Sequence, residues 1–155
     1  MLLVDKPLGW TSFDVVRKLR GLVRTGKIGH AGTLDPLATG LLILCTGKFT
    51  KRINDYMAQE KEYTGTITLG ASTPTYDLES EPVVLREPSF VTPSMLAETI
   101  ARQFTGEIMQ TPPAHSAIKV GGQRVYELAR KGQEVKLEPR RVVADAVRPN
   151  RSPPF

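Results

Sequence analysis

A chain of 155 residues with 40% apolar and 24% charged side chains is long enough for one domain with a real core and is ordinary for a globular protein. Its longest apolar run is strand-sized, no signal-peptide pattern opens it, and its single cysteine, Cys45, permits neither an internal disulfide nor a cysteine metal cluster; the expectation is a protein of a reducing cytoplasm with no membrane span. The net charge of +5 is uneven: residues 1–59 carry nine Lys/Arg and four Asp/Glu, residues 60–110 three and eight, and residues 111–155 nine and four, a pattern suited to a polyanion held by both ends of the chain.

Residues 2–4 predict a short buried strand. Thr11 or Ser12 then caps a helix, with Asp14 in the capping-box position three residues after Thr11. Phe13, Val16, Leu19 and Val23 recur at helical spacing and predict its buried stripe, while Arg17, Lys18, Arg20 and Arg24 face elsewhere. Residues 29–40 read Gly-His-Ala-Gly-Thr-Leu-Asp-Pro-Leu-Ala-Thr-Gly, too glycine-rich for a helix and too broken for a strand. Glycine allows close backbone approach, and Pro36 pushes Asp35 toward an extended conformation, so this run predicts a stiff loop presenting one acid. Residues 41–45 predict a strand ending in a buried Cys45, and residues 48–57 a helix with Ile53, Tyr56 and Met57 inward.

Residues 63–69 alternate, with Tyr63, Gly65, Ile67 and Leu69 on one side and threonines on the other, and predict a half-buried antiparallel strand. A polar, turn-rich link over 71–82 precedes a strand at 83–85. Thr92 caps a helix with Pro93 at its first position and Leu96, Ile100 and Phe104 as its stripe, ended by Gly106. Gly121-Gly122 is a hairpin turn signal, residues 124–131 look helical with Gly132 as stop, and residues 135–137 and 142–147 read as strands. Helices and strands mix without regular alternation, so the fold class is α+β with a mainly antiparallel mixed sheet flanked by helices.

Asp35 is the carboxylate whose setting points to chemistry, as a base or a nucleophile. Taken alone, its Asp-Pro pair is a common turn former. His30 beside a glycine reads first as a structural hydrogen bonder, and Tyr63 as an ordinary strand aromatic. Lys48, Lys51 and Arg52, and then Lys119, Arg124, Arg130 and Lys131, are mobile cations of the kind that bind phosphates, with Tyr126 and His115 as flat rings among the second group. Singly, each such cation reads as a solubilising surface charge, and Asp77 as a solvated acid of the polar link.

Four segments, in order, resemble the RNA pseudouridine synthases of the TruB type: Val4-Asp5-Lys6-Pro7-Leu8-Gly9-Trp10-Thr11-Ser12, the Gly29 to Gly40 run, Lys61-Glu62-Tyr63, and Pro112 to Lys119 with Tyr126 to Gly132. The resemblance implies a pseudouridine-synthase-like catalytic domain, of which residues 1–147 are the N-terminal part and residues 112–132 an RNA-gripping insertion; residues 148–155, rich in proline and arginine, read as a disordered tail. It implies isomerisation of uridine to pseudouridine in the T loop of tRNA, at position 55, with Asp35 as the catalytic residue and no metal or other cofactor. His30 is then the group that fills the space left by the extruded base, Tyr63 the ring on which that base stacks, and Lys6, Thr33, Lys119, Arg124 and Arg130 complete the substrate-binding set.

The reaction needs Asp35 ionised in a pocket that excludes water, with a cation nearby. In the family that cation is the arginine of a Gly-Thr-Tyr-Ile-Arg segment, which does not follow Val147 here. Arg24, Lys27 and Lys6 are the candidates to stand in for it. The departure sets up a second reading, a truncated and catalytically silent RNA-binding domain. It also raises the expectation that a second chain or a missing C-terminal part completes the sheet. A small-molecule hydrolase is a third reading, disfavoured because nothing pairs with Asp35 as a general acid.

Overall fold

The computed structural model describes residues 1–112, 119–120, 123–124 and 137–149. The chain divides into two compact units, residues 1–66 and 67–155. Every strand pairing among the described residues is antiparallel, in five ladders that make four separate sheets mixed with helices, which is the α+β character the sequence predicts. Among the described residues no helix is long and apolar enough to cross a membrane.

The first unit is a three-stranded sheet in the order β1 (Leu2–Lys6), β3 (Gly40–Thr46), β2 (Ile28–Ala31). Leu2 faces Leu44 and Lys6 faces Gly40 across one ladder, and Ile28 faces Thr46 across the other. Helix α1 (Ser12–Val23) covers one face. Thr11 caps it with the full capping box: its hydroxyl accepts from Asp14 N at 3.0 Å and its backbone N–H donates to the Asp14 carboxylate at 3.0 Å. Val15 and Val16 pack there on Leu42 and Leu44, with Leu2, Val4, Leu19, Ile28 and Leu34 around them. A 3-10 helix (Gly47–Arg52) and the short α2 (Ile53–Met57) follow β3. Ile53 reaches over Gly29, the partner of the buried Cys45 in the ladder, so close that a Cβ at Gly29 would lie 2.9 Å from its Cδ1.

Three expectations are corrected in this unit. The buried stripe of α1 is Ser12, Val15, Val16 and Leu19, with Phe13 and Val23 exposed; a polar contact of Ser12 to the following loop turns that face inward. The glycine-rich run is not all loop, because its first residues belong to β2, where the small Gly29 lets Ile53 pack against the sheet. The helix over 48–57 divides into a 3-10 turn and one α-helical turn, with Met57 exposed.

The second unit contains β4 (Ala71–Ser72) paired with β5 (Val83–Val84), helix α3 (Pro93–Gln103), β6 (Gly106–Gln110) paired with β9 (Arg140–Ala144), and a hairpin of β7 (Lys119–Val120) with β8 (Gln123–Arg124). Thr92 caps α3, accepting from Met95 N, with Pro93 in the first turn as predicted. β7 and β8 pair antiparallel, and the predicted turn at Gly121-Gly122 lies outside the described residues. The strand predicted at 63–69 does not form: these residues make no ladder among the described residues, and Tyr63 and Ile67 are exposed. Alternation specifies a strand only where a partner takes up the backbone groups. Leu137 lies outside a strand and β9 stops at Ala144. The helix predicted at 124–131 and most of the tail lie outside the described residues.

Candidate active site

The connection from β2 to β3 leaves the sheet through Gly32 at φ +96 and returns through Gly40 at φ +111, both in the left-handed region that favours glycine. Between them the chain is fixed at successive carbonyls. Ser12 is buried, at 2% exposure, and its hydroxyl donates to Leu34 O at 3.2 Å while accepting from Leu34 N at 2.9 Å. Asp35 O accepts from Ala38 N at 3.0 Å, closing a turn. Pro36 O accepts from Gly9 N at 2.8 Å and from the Lys6 ammonium at 3.3 Å. Lys6 is fully buried, and its Nζ donates also to Pro7 O at 3.0 Å and Trp10 O at 2.5 Å. Residues on both sides of Asp35 are therefore tied to the β1–α1 connection, and the Leu34 side chain packs into the core.

Asp35 itself is exposed. The bonds of its neighbours go to the backbone beneath the loop rather than to the Asp35 carboxylate. Among the described residues no Lys, Arg or His nitrogen lies within 4.0 Å of its carboxylate, so neither Arg24, Lys27 nor Lys6 pairs with it. Lys6 sits in the loop's support rather than on its face, since a fully buried ammonium bonded to carbonyls has no open side for a ligand.

His30 lies on β2 opposite Leu44 and is partly buried. Its Nδ1 is bonded to Gly32 O; a carbonyl only accepts, so Nδ1 is the donor. Thr33 is exposed on the same loop, two residues before Asp35. Tyr63 is 74% exposed and outside any strand. Arg52 is engaged with Asp55 at 3.3 Å and lies over the Tyr56 ring, 5.4 Å from its centroid. In the second unit, the Asp77 carboxylate accepts from Glu79 N at 3.0 Å and so forms a turn. Lys119 and Arg124 face each other across the β7–β8 ladder, and Arg130 lies outside the described residues. The structure thus gathers Lys6, His30, Thr33 and Asp35 around one loop.

Sequence reasoning missed Ser12 and Gly9 as supports. Ser12 carried a helix-cap signal and Gly9 only its place in the Val4 to Ser12 segment, and neither shows which distant backbone it meets. Among the described residues no group of three or more His, Cys, Asp or Glu side chains is disposed to hold a metal ion.

Known proteins resemble this chain strongly. The sequence pattern of the TruB family pseudouridylate synthase N-terminal domain matches residues 20–150. The tRNA pseudouridine synthase B of Flavobacterium johnsoniae is 52% identical over 148 residues, covering 91% of this chain and 64% of that protein. The one from Bacteroides fragilis is 51% identical over 155 residues, 95% of this chain and 65% of the relative. That of Chlorobaculum tepidum is 53% identical over 139 residues, 87% of this chain and 58% of the relative. The chain therefore spans just under two thirds of the length of the first two relatives. Among solved structures, a chain of a Cbf5-Nop10-Gar1 complex is similar with a TM-score of 0.48 and 26% identity, over 76% of this chain and 30% of that one.

Proposed function

This chain belongs to the TruB family of pseudouridylate synthases, and we propose on that premise that it converts uridine to pseudouridine in tRNA, at position 55 of the T loop, with Asp35 as the catalytic carboxylate. The observation that carries the reading is the bracketing of Asp35. An acid is held at the solvent face of a loop whose neighbouring backbone is fixed by Ser12, Gly9 and a buried lysine. Fixing a reactive group before substrate arrives saves entropy in the reaction, and a turn former would need no such support.

The reaction balances without any co-reactant. The N1–C1′ bond breaks, the uracil turns, a C5–C1′ bond forms, C5 loses its hydrogen to solvent and N1 gains a proton. Asp35 takes a proton from the ribose or bonds covalently to sugar or base; both routes suit a carboxylate. A uridine within a folded loop must be unstacked first. His30, turned by its bond to Gly32 O, fills the vacated space, and Tyr63 offers a ring for the extruded base. Thr33 contacts the same nucleotide, and Lys119, Arg124 and Arg130 bind the phosphates of the T stem-loop. Lys6 serves the site through the loop it holds. A tRNA substrate fits the cytoplasmic setting expected from the sequence.

A second reading is a catalytically silent RNA-binding domain, and one observation favours it: no cation lies within 4.0 Å of the Asp35 carboxylate among the described residues. A T stem-loop carrying tritium at C5 of its uridines separates the two. Tritium release with binding supports the synthase. Binding with no release supports the silent domain, and an unbound stem-loop refutes both.

A further inference from the structure

The turn between β1 and α1 borders a recess that the chemistry at Asp35 does not use. Gly9, Trp10, Asp14, Arg17 and Lys18 line it, and its volume is about 510 Å³. Gly9 adopts φ +78 there, and Trp10 is 39% exposed. Asp14, Arg17 and Lys18 share one face of α1 by their spacing of three and four, just after Trp10.

The acid in this group does not oppose an anion strongly. The Asp14 carboxylate accepts from Thr11 N at 3.0 Å, from Thr11 Oγ1 at 2.6 Å and from Arg17 Nη2 at 2.9 Å. Lys18 makes no ion pair among the described residues, so the recess carries a net positive charge. An open indole beside cations suits an unpaired nucleotide, with the base on the ring and the phosphate on the cations.

The recess is also tied to the Asp35 loop. The Lys6 ammonium donates both to Trp10 O and to Pro36 O, and Gly9 N donates to Pro36 O. One buried cation thus fixes the backbone of the recess relative to the backbone that carries Asp35.

We propose that this recess is a nucleotide subsite, in which an unpaired RNA base stacks on Trp10 and its phosphate meets Lys18 and Arg17. The subsite rests on the reading that the Asp35 loop acts on RNA. It deepens that reading by naming a second contact that holds the same RNA strand at a set distance from the reacting uridine.

Trp10 is the only tryptophan of the chain, so its emission reports on the recess alone. The 155-residue chain is titrated with a dye-labelled T-arm stem-loop while anisotropy and Trp10 emission are read together. Emission changes in step with the rise in anisotropy. Trp10→Leu weakens binding about tenfold, Trp10→Phe retains most of the affinity, and Lys18→Glu lowers the slope of affinity against salt. Should Trp10→Leu fail to fold by circular dichroism, the emission of the unmodified chain decides alone. Unchanged emission while RNA binds, or Trp10→Leu folded and binding like the unmodified chain, overturns the subsite and leaves the role of Asp35 standing. No rise in anisotropy overturns both.

Discussion

Replacing Lys6 with methionine keeps the side chain's length and removes its charge, and the consequences can be worked out bond by bond. The ammonium donates to Pro7 O, Trp10 O and Pro36 O at 3.0, 2.5 and 3.3 Å and is fully buried. Two of these carbonyls keep a second donor: Pro36 O has Gly9 N at 2.8 Å, and Pro7 O has Trp10 N at 3.4 Å. Trp10 O loses the donor that serves it. A buried carbonyl without a partner costs about 1–3 kcal/mol, and weakening at the other two adds about 1 kcal/mol. Relief from burying an ammonium offsets part of this, leaving a net destabilisation of about 2 kcal/mol.

Urea unfolding followed by Trp10 emission reads this directly, because Trp10 sits in the affected turn. In a thermal melt, the same loss in a unit of this size lowers the midpoint by roughly 10 °C. Lys18→Met, on the exposed face of α1, is the control and shifts stability by no more than about 0.5 kcal/mol. Lys6→Met matching that control would refute the claim that this cation holds the loop. In the tritium-release assay, Lys6→Met lowers the rate more than the affinity for RNA, since it loosens the backbone on which Asp35 is mounted.

Further outcomes follow from the same geometry. Ser12→Ala strips both the N–H and the C=O of Leu34 of their side-chain partner, destabilising the first unit by about 1–3 kcal/mol in the same urea titration; Ser12→Ala with unaltered stability would show that those groups are satisfied otherwise. The Thr11 side-chain and backbone hydrogen bonds hold the Asp14 carboxyl below the ordinary aspartate value of 3.8, helped by Arg17. A group lowered on folding stabilises above its unfolded value and loses that contribution as pH falls through its folded value. The helix content of α1 therefore declines on acidification below about pH 3.8, and Asp14→Asn flattens that part of the profile. Cys45 is fully buried, so a disulfide reagent labels it slowly in the native protein and rapidly in denaturant; fast native labelling would contradict the packing of Ile53 and β3.

Much of the secondary structure was legible because its signals are local. The capping box at Thr11 and Asp14, the strand ending in Cys45 and the Pro-led start of α3 each depend on neighbours a few residues away. What was not legible depends on distant partners. The buried face of α1 is set by Ser12 reaching Leu34, twenty-two residues on. The expectation for Lys6 put it against substrate, whereas the chain uses it beneath the loop, a choice that only burial reveals. The alternation at 63–69 reads as a strand and finds no ladder among the described residues, because periodicity specifies a face and not a partner. At the site, the loop and its acid could be read from glycine and proline positions, but the exposure of Asp35 could not.

The central claim is that the Asp35 carboxylate does the chemistry. The direct measurement is tritium released from C5 of the target uridine in a T stem-loop, with protein in excess over RNA, for the unmodified chain and for Asp35→Asn. Release by the unmodified chain, and none by Asp35→Asn while that variant still binds the stem-loop, is the predicted result. Release by Asp35→Asn at the unmodified rate would contradict the account.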